Sequence, residues 1–143
     1  MKLVIDANIL VGELLRKRGQ ELLKNPQLIL YIAQKALDET NYELKRRLTI
    51  IISQGRLDKA LETEILTRAT ELRENYITPV PLSVYAELEI EAKKRIPRDP
   101  NDWETVALSL ALSADIWTED QDFFGCGCPT WTTETLLLQM GIE

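Results

Sequence analysis

The 143-residue sequence predicts an α/β fold, a three-layer α/β/α sandwich around a central parallel sheet. Three observations carry this reading. Short apolar runs, LVI at 3–5, LILYI at 28–32 and DIWT at 115–118, are strand-sized and bounded by polar turns. Between them lie longer stretches whose apolar residues recur at helical spacing. Strands that alternate with helices pair in parallel, with helices covering both faces of the sheet. No repeat or Gly/Pro/Ser-rich linker interrupts the pattern, so residues 1–143 read as a single domain, long enough to bury its own core.

The elements follow in order. Lys2–Ile5 is a buried strand that stops at Asp6-Ala7-Asn8. A helix is expected from Ile9 to Arg18, ended by Gly19, and a short one from Gln20 to Lys24, ended by Asn25-Pro26. Leu28–Ile32 is the second strand. Leu37, Leu44, Leu48 and Ile51 mark a long helix from Gln34 to Ser53, broken by Gly55. Leu57, Leu61, Ile65, Leu72 and Tyr76 mark another, followed by a short strand over Ile77–Pro81. Ser83 is placed as the cap of a helix running to Arg95. After the loop 97–101 comes an apolar helix from Asp102 to Ser113, a strand over 115–118 and an acidic turn over 119–122. Pro129–Trp131 is expected at a sheet edge, and Thr132 or Thr133 caps a last helix to Met140.

Composition narrows the chemistry. No apolar run reaches the roughly 18 residues of a membrane span. The opening MKLVID lacks the features of a secretory signal, so a cytoplasmic protein is expected. Histidine is absent, which removes Ser-His and Cys-His nucleophilic pairs. The two cysteines, Cys126 and Cys128, are too few for a four-ligand zinc site. A disulfide across one residue would be strained, so reduced thiols are expected. The net charge of −6 argues against a simple nucleic-acid binder. The charge is uneven, however. Residues 1–75 carry 13 basic and 11 acidic side chains, whereas residues 99–143 carry nine acidic and no basic ones.

Four acids stand out: Asp6, Glu39, Asp102 and Asp120. In open parallel sheets the working site lies beyond the carboxyl ends of the strands. Asp6 follows the first strand and Asp120 follows the 115–118 strand, so both are expected at one sheet edge. Asp102 opens a helix, where backbone N–H groups favour an anion. Glu39 lies near the start of the long second-layer helix, with Glu43 one turn on as its substitute. Oxygen ligands alone suit Mg²⁺ or Mn²⁺ rather than zinc. A divalent cation there would offset the negative charge that builds during phosphodiester cleavage. Each acid also has a plainer role: Asp6 and Asp102 as helix caps, Asp120 in a solvated turn, Glu39 on a helix surface. Only their joint placement favours a metal site.

The segments LVIDANIL, RDPNDWETVALSLAL and IWTEDQDFFGCGCPTW resemble those of PIN domains, most closely the small prokaryotic VapC-like branch. The resemblance covers essentially the whole chain. It implies a Mg²⁺- or Mn²⁺-dependent endoribonuclease in which Asp6, Glu39, Asp102 and Asp120 are the catalytic acids. Asp122 joins the metal ligands in that reading, and Asn8, Asp99 and Thr118 assist from outside them, Thr118 by orienting Asp6. It also implies an RNA substrate, a homodimer, and an antitoxin protein as partner if the chain is a toxin. Glu119 departs from the small residue that many relatives carry before the fourth acid.

Three basic clusters could grip the RNA backbone: Arg16-Lys17-Arg18, Lys45-Arg46-Arg47, and Lys93-Lys94-Arg95 with Arg98. Arg16, Lys45, Arg46 and Arg98 are the residues chosen from them, and Trp103 and Trp117 are assigned to the core. An inactive PIN-like module that binds RNA or protein is the alternative function. A receiver-type signalling domain is disfavoured because no lysine follows Lys94.

Overall fold

The architecture of the computed structural model, which describes residues 1–56 and 58–142, is set by its first strand. Lys2–Ile5 (β1) carries Leu3, Val4 and Ile5, all fully buried, as a strand covered on both faces must. β1 pairs in parallel with Ile29–Ala33 (β2) on one side and with Asp115–Trp117 (β4) on the other. Ile77–Val80 (β3) lies outside β2, and Thr130–Trp131 (β5) outside β4. The five-stranded sheet has the order β3-β2-β1-β4-β5 and every pairing is parallel. The chain thus builds outward from β1 in one direction, then returns to build in the other. The reversal puts a crevice beyond the ends of β1 and β4.

The helices are Ala7–Leu14 (α1), Lys17–Leu23 (α2), Gln34–Ser53 (α3), Lys59–Tyr76 (α4), Glu89–Arg95 (α5), Trp103–Leu112 (α6) and Thr133–Gln139 (α7). Asp58 caps α4 by accepting from Leu61 N at 2.8 Å; Leu57, expected in that helix, lies outside the described residues. Thr132 is the cap of α7, in a capping box with Thr135. Trp117 is fully buried, and Trp103 packs at the core edge against Tyr85. Among the described residues, no helix is long and apolar enough to cross a membrane.

Two expectations are corrected. The first helix does not run to Arg18: it ends at Leu14, and Gly19 sits inside α2 rather than stopping a helix. Gly19 is buried against Glu13, where an added Cβ would overlap the Glu13 backbone. The glycine permits close packing of α2 on the end of α1. Nor does Ser83 cap a helix to Arg95. Residues 82–84 and 86–88 form 3₁₀ turns, and α5 starts only at Glu89. Between the turns Tyr85 is 1% exposed, and its hydroxyl donates to Glu104 Oε1 at 2.8 Å. Anchoring this ring inward accounts for the interruption.

Candidate active site

Asp6 is fixed from two directions. Its backbone N–H donates to Trp117 O at 3.0 Å, extending the β1–β4 ladder by one residue. Its Oδ2 accepts from the Thr118 hydroxyl, also at 3.0 Å. Asp6 stands at the N-cap position of α1, yet its side chain makes no capping bond. The carboxylate is thus turned toward the sheet edge instead of the helix end.

The same hydroxyl positions the Asp120 turn. Thr118 Oγ1 accepts from Asp120 N at 2.9 Å, and Asp120 Oδ1 accepts from Asp122 N at 2.9 Å. Thr118 itself is buried, with its N–H donating to Trp131 O of β5 at 2.9 Å. One threonine therefore ties two acids to the end of β4. Glu119 points elsewhere, accepting from Thr133 N at 2.8 Å at the start of α7.

Asp102 ends a 3₁₀ turn over Pro100–Asp102 and, like Asp6, makes no capping bond to the helix it precedes. Asp99 holds that turn by accepting from Asn101 N at 3.3 Å. The Asp99 carboxylate also lies close enough to Asp102 to disfavour its charge.

These segments meet around one cleft of about 520 Å³ whose lining includes Asp6, Asn8, Lys35, Glu39, Asp102 and Asp120. A small recess beside it shares Asp6, Lys35, Glu39 and Asp102. All four expected acids are therefore brought together. Glu43 also reaches the cleft, but its carboxylate is held by Arg46 in a bidentate pair, Nη2 to Oε2 at 2.9 Å. That pairing leaves Glu39 as the helix acid with the freer carboxylate.

Electrostatics mark the cleft. Burial pushes the Asp6 carboxyl up to about 6, and repulsion from Asp120 and Glu39 adds to this, against the opposing hydrogen bond from Thr118. Burial also pushes Asp102 up to about 7, with Asp99, Asp6 and Glu39 contributing. The carboxylates thus disfavour one another's charge, a strain that a cation among them relieves. The donor set, all hard oxygen, fits Mg²⁺ or Mn²⁺. Among the described residues, no group of three or more acidic or cysteine side chains closes around a point as a finished cage. The site is an open acidic cleft.

Other expected residues fall elsewhere. Asp122 does not line the cleft; its carboxylate faces Arg98, Nε to Oδ1 at 3.4 Å, which removes it from the ligand set the geometry supports. Arg46 is occupied by Glu43, and Lys45 is exposed outside the cleft lining. Arg16 lines a second depression of about 470 Å³, together with Arg18 and Arg47, and Asn8 borders both hollows. The sequence reading passed over Lys35, the basic side chain lining the cleft, whose Nζ donates to Asn101 O at 3.2 Å. Its spacing of four residues from Glu39 on one helix was the available signal.

A parallel α/β sheet with acids gathered where its strand order reverses defines the class of protein. The PIN domain family model matches residues 4–141, and the chain belongs to that family, a family of nucleases that are typically metal-dependent. Among solved structures it is similar to PAE2754 from Pyrobaculum aerophilum, with 18% identity and a TM-score of 0.66 over 99% of this chain and 90% of that one. It also resembles FitAB bound to an IR36 DNA fragment, with 17% identity and a TM-score of 0.57 over 91% and 94% of the two chains. FitAcB from Neisseria gonorrhoeae gives 18% identity and a TM-score of 0.50 over 90% and 96%. Identities this low carry the fold alone. No curated protein matches the chain.

Proposed function

We propose that this chain is a Mg²⁺- or Mn²⁺-dependent endoribonuclease, with Asp6, Glu39, Asp102 and Asp120 as its catalytic acids. The observation that carries this is the convergence of four acids from four separate segments on one cleft. When bound, the cation supplies charge neutralisation at the phosphate and acidifies the attacking water. Asp6 and Asp120, tied by Thr118, present carboxylates from the ends of β1 and β4. Glu39 and Asp102 face them from α3 and from the turn before α6. A carboxylate not engaged as a ligand orients the water and accepts its proton. Lys35 offers a cation to a phosphate oxygen, and Arg16, Arg18 and Arg47 extend a basic path beyond Asn8.

RNA is the substrate in this reading. An antitoxin that silences the enzyme, and a homodimeric assembly, belong to the same reading through the resemblance to VapC-like proteins. The test is cleavage of a defined RNA by purified protein with Mn²⁺, and with chelator in its place. Cleavage in Mn²⁺ alone supports the reading; no cleavage under either condition rejects it. The alternative reading is a non-cleaving PIN-like module that binds RNA or protein. RNA retention without cleavage in that assay would select it.

A further inference from the structure

The turn that carries the chain from the 3₁₀ segment Gln121–Phe123 to β5 has the sequence Gly125-Cys126-Gly127-Cys128. It folds back on itself because Gly125 and Gly127 take φ values of 86° and 89°, in the left-handed region that glycine adopts freely. The fold-back brings the Cys126 thiol onto the Cys128 backbone, where its Sγ donates to Cys128 O at 3.8 Å. Cys126 is buried, while Cys128 is partly exposed. Neither is in a disulfide.

Arg95 closes over this turn from α5. Its Nη1 donates to Cys126 O at 3.0 Å, and its Nε is held by Glu91 at 3.1 Å. A Cβ on Gly127 would collide with the guanidinium, so the cation lies directly on the glycine between the two cysteines. The Ser109 hydroxyl of α6, which donates to Ala114 O, lies beside Cys128. Asp115, the acid close by, accepts from Trp131 Nε1 at 2.8 Å. The surroundings split the pair. The Cys126 thiol, the Ser109 hydroxyl and the Arg95 charge pull Cys128 down to about 6, against burial and Asp115. The bond to Cys128 and burial push Cys126 up. The turn therefore sets the more exposed Cys128, the more readily ionised of the two, beside a buried Cys126 that keeps its proton more tightly.

We propose that Cys126 and Cys128 are a redox-active pair that hydroperoxides oxidise to a disulfide across Gly127, Cys128 attacking and Cys126 resolving. In the first step the Cys128 thiolate attacks one peroxide oxygen. The O–O bond breaks, Cys128 becomes a sulfenic acid, and hydroxide (or an alkoxide, from an organic hydroperoxide) leaves. In the second step the Cys126 sulfur attacks Cys128, forming the S–S bond, and the sulfenic oxygen departs with the Cys126 proton as water. The protein gives up two electrons and the peroxide gains two. A ring closed across a single residue is strained, so a dithiol reductant reopens it readily. This site is independent of the nuclease reading and stands or falls separately.

The test uses the full chain with hydrogen peroxide, followed by intact mass and thiol counting. The wild type is expected to lose two hydrogen atoms and both free thiols within one chain, and to regain them with dithiothreitol. Cys126→Ser is expected to stop at a sulfenic acid that dimedone traps, and Cys128→Ser to lose the fast reaction. Arg95→Gln is expected to slow alkylation of Cys128 at pH 7 roughly tenfold, through loss of thiolate. Limited alkylation of the wild type with peptide mapping guards against misfolded variants, and Cys128 is expected to label first. Addition of oxygen atoms without a disulfide, disulfides only between chains, or first labelling at Cys126 would each overturn the proposal.

Discussion

The Thr118 hydroxyl donates to Asp6 Oδ2 at 3.0 Å, joining residues 112 positions apart in the chain. Because the same oxygen accepts from Asp120 N, the spacing of the two acids depends on one side chain. Replacing it with valine keeps the β-branched shape and removes both bonds. Thr118→Val is expected to lower Mn²⁺-dependent RNA cleavage about 10- to 100-fold, as loss of a ligand-orienting partner does. Circular dichroism checks that the fold is kept. Cleavage unchanged from wild type would take Thr118 out of the site's support.

Asp6→Asn and Asp120→Asn are each expected to abolish RNA cleavage while the fold survives. In low salt without divalent cations Asp6→Asn should also gain about 1–2 kcal/mol at pH 8, since it removes a buried, repelled charge. Chemical denaturation measures this. Retained cleavage in both variants would end their catalytic assignment.

The acids make stability depend on pH, with a definite sign. Asp6 and Asp102 hold protons more tightly folded than unfolded, their pKa values raised from 3.8 to about 6 and about 7. The stability from this proton uptake is complete below pH 3.8 and is lost as pH rises through 6 and 7. Allowing for partial solvent screening, we expect a loss of about 2 kcal/mol from these two groups between pH 4 and pH 8 in chelator. Mn²⁺ at pH 8 should restore it, as thermal melts at the two pH values would reveal. A melt unaffected by Mn²⁺ at pH 8 would argue against an ion at these carboxylates.

The helix acids can be separated by parallel substitutions. Glu39→Gln is expected to cut cleavage at least about tenfold, by loss of a ligand to the ion. Glu43→Gln, which breaks only the exposed pair with Arg46, should leave cleavage close to wild type. The reverse order of effects would exchange their roles.

Two glycines of the first helical region should respond in opposite ways. At Gly12, inside α1, an added Cβ meets nothing within 4 Å, so Gly12→Ala should stabilise by about 0.5–1 kcal/mol. At Gly19 the Cβ overlaps the Glu13 backbone, so Gly19→Ala should destabilise by about 1–3 kcal/mol. Urea midpoints of the two variants give the comparison.

The parts of this molecule that were legible in its sequence are those governed by local pattern. β1, β2 and β4 are apolar runs ended by polar residues, and the strand-end rule alone puts Asp6 and Asp120 at one edge. The parts that were not legible depend on contacts between distant segments. Nothing local announces that Gly19 packs on Glu13, or that Tyr85 turns inward and breaks a helix into 3₁₀ turns. Asp122 joined the expected ligands through the resemblance alone, and the Arg98 that engages it lies 24 residues away in the chain. The Arg46 claim on Glu43 was readable as an i, i+3 pair, whereas the side of α3 that meets the cleft was not.

β1 lies mid-sheet with β4 as one neighbour, and β4 is translated more than a hundred residues later. While the chain emerges from the ribosome, Asp6 therefore has neither Thr118 nor Asp120 beside it, and the cleft lacks a wall. The acidic cluster becomes complete only after β4 and Asp120 have been made. Closing this cleft is thus a late event relative to the synthesis of the strand that begins it.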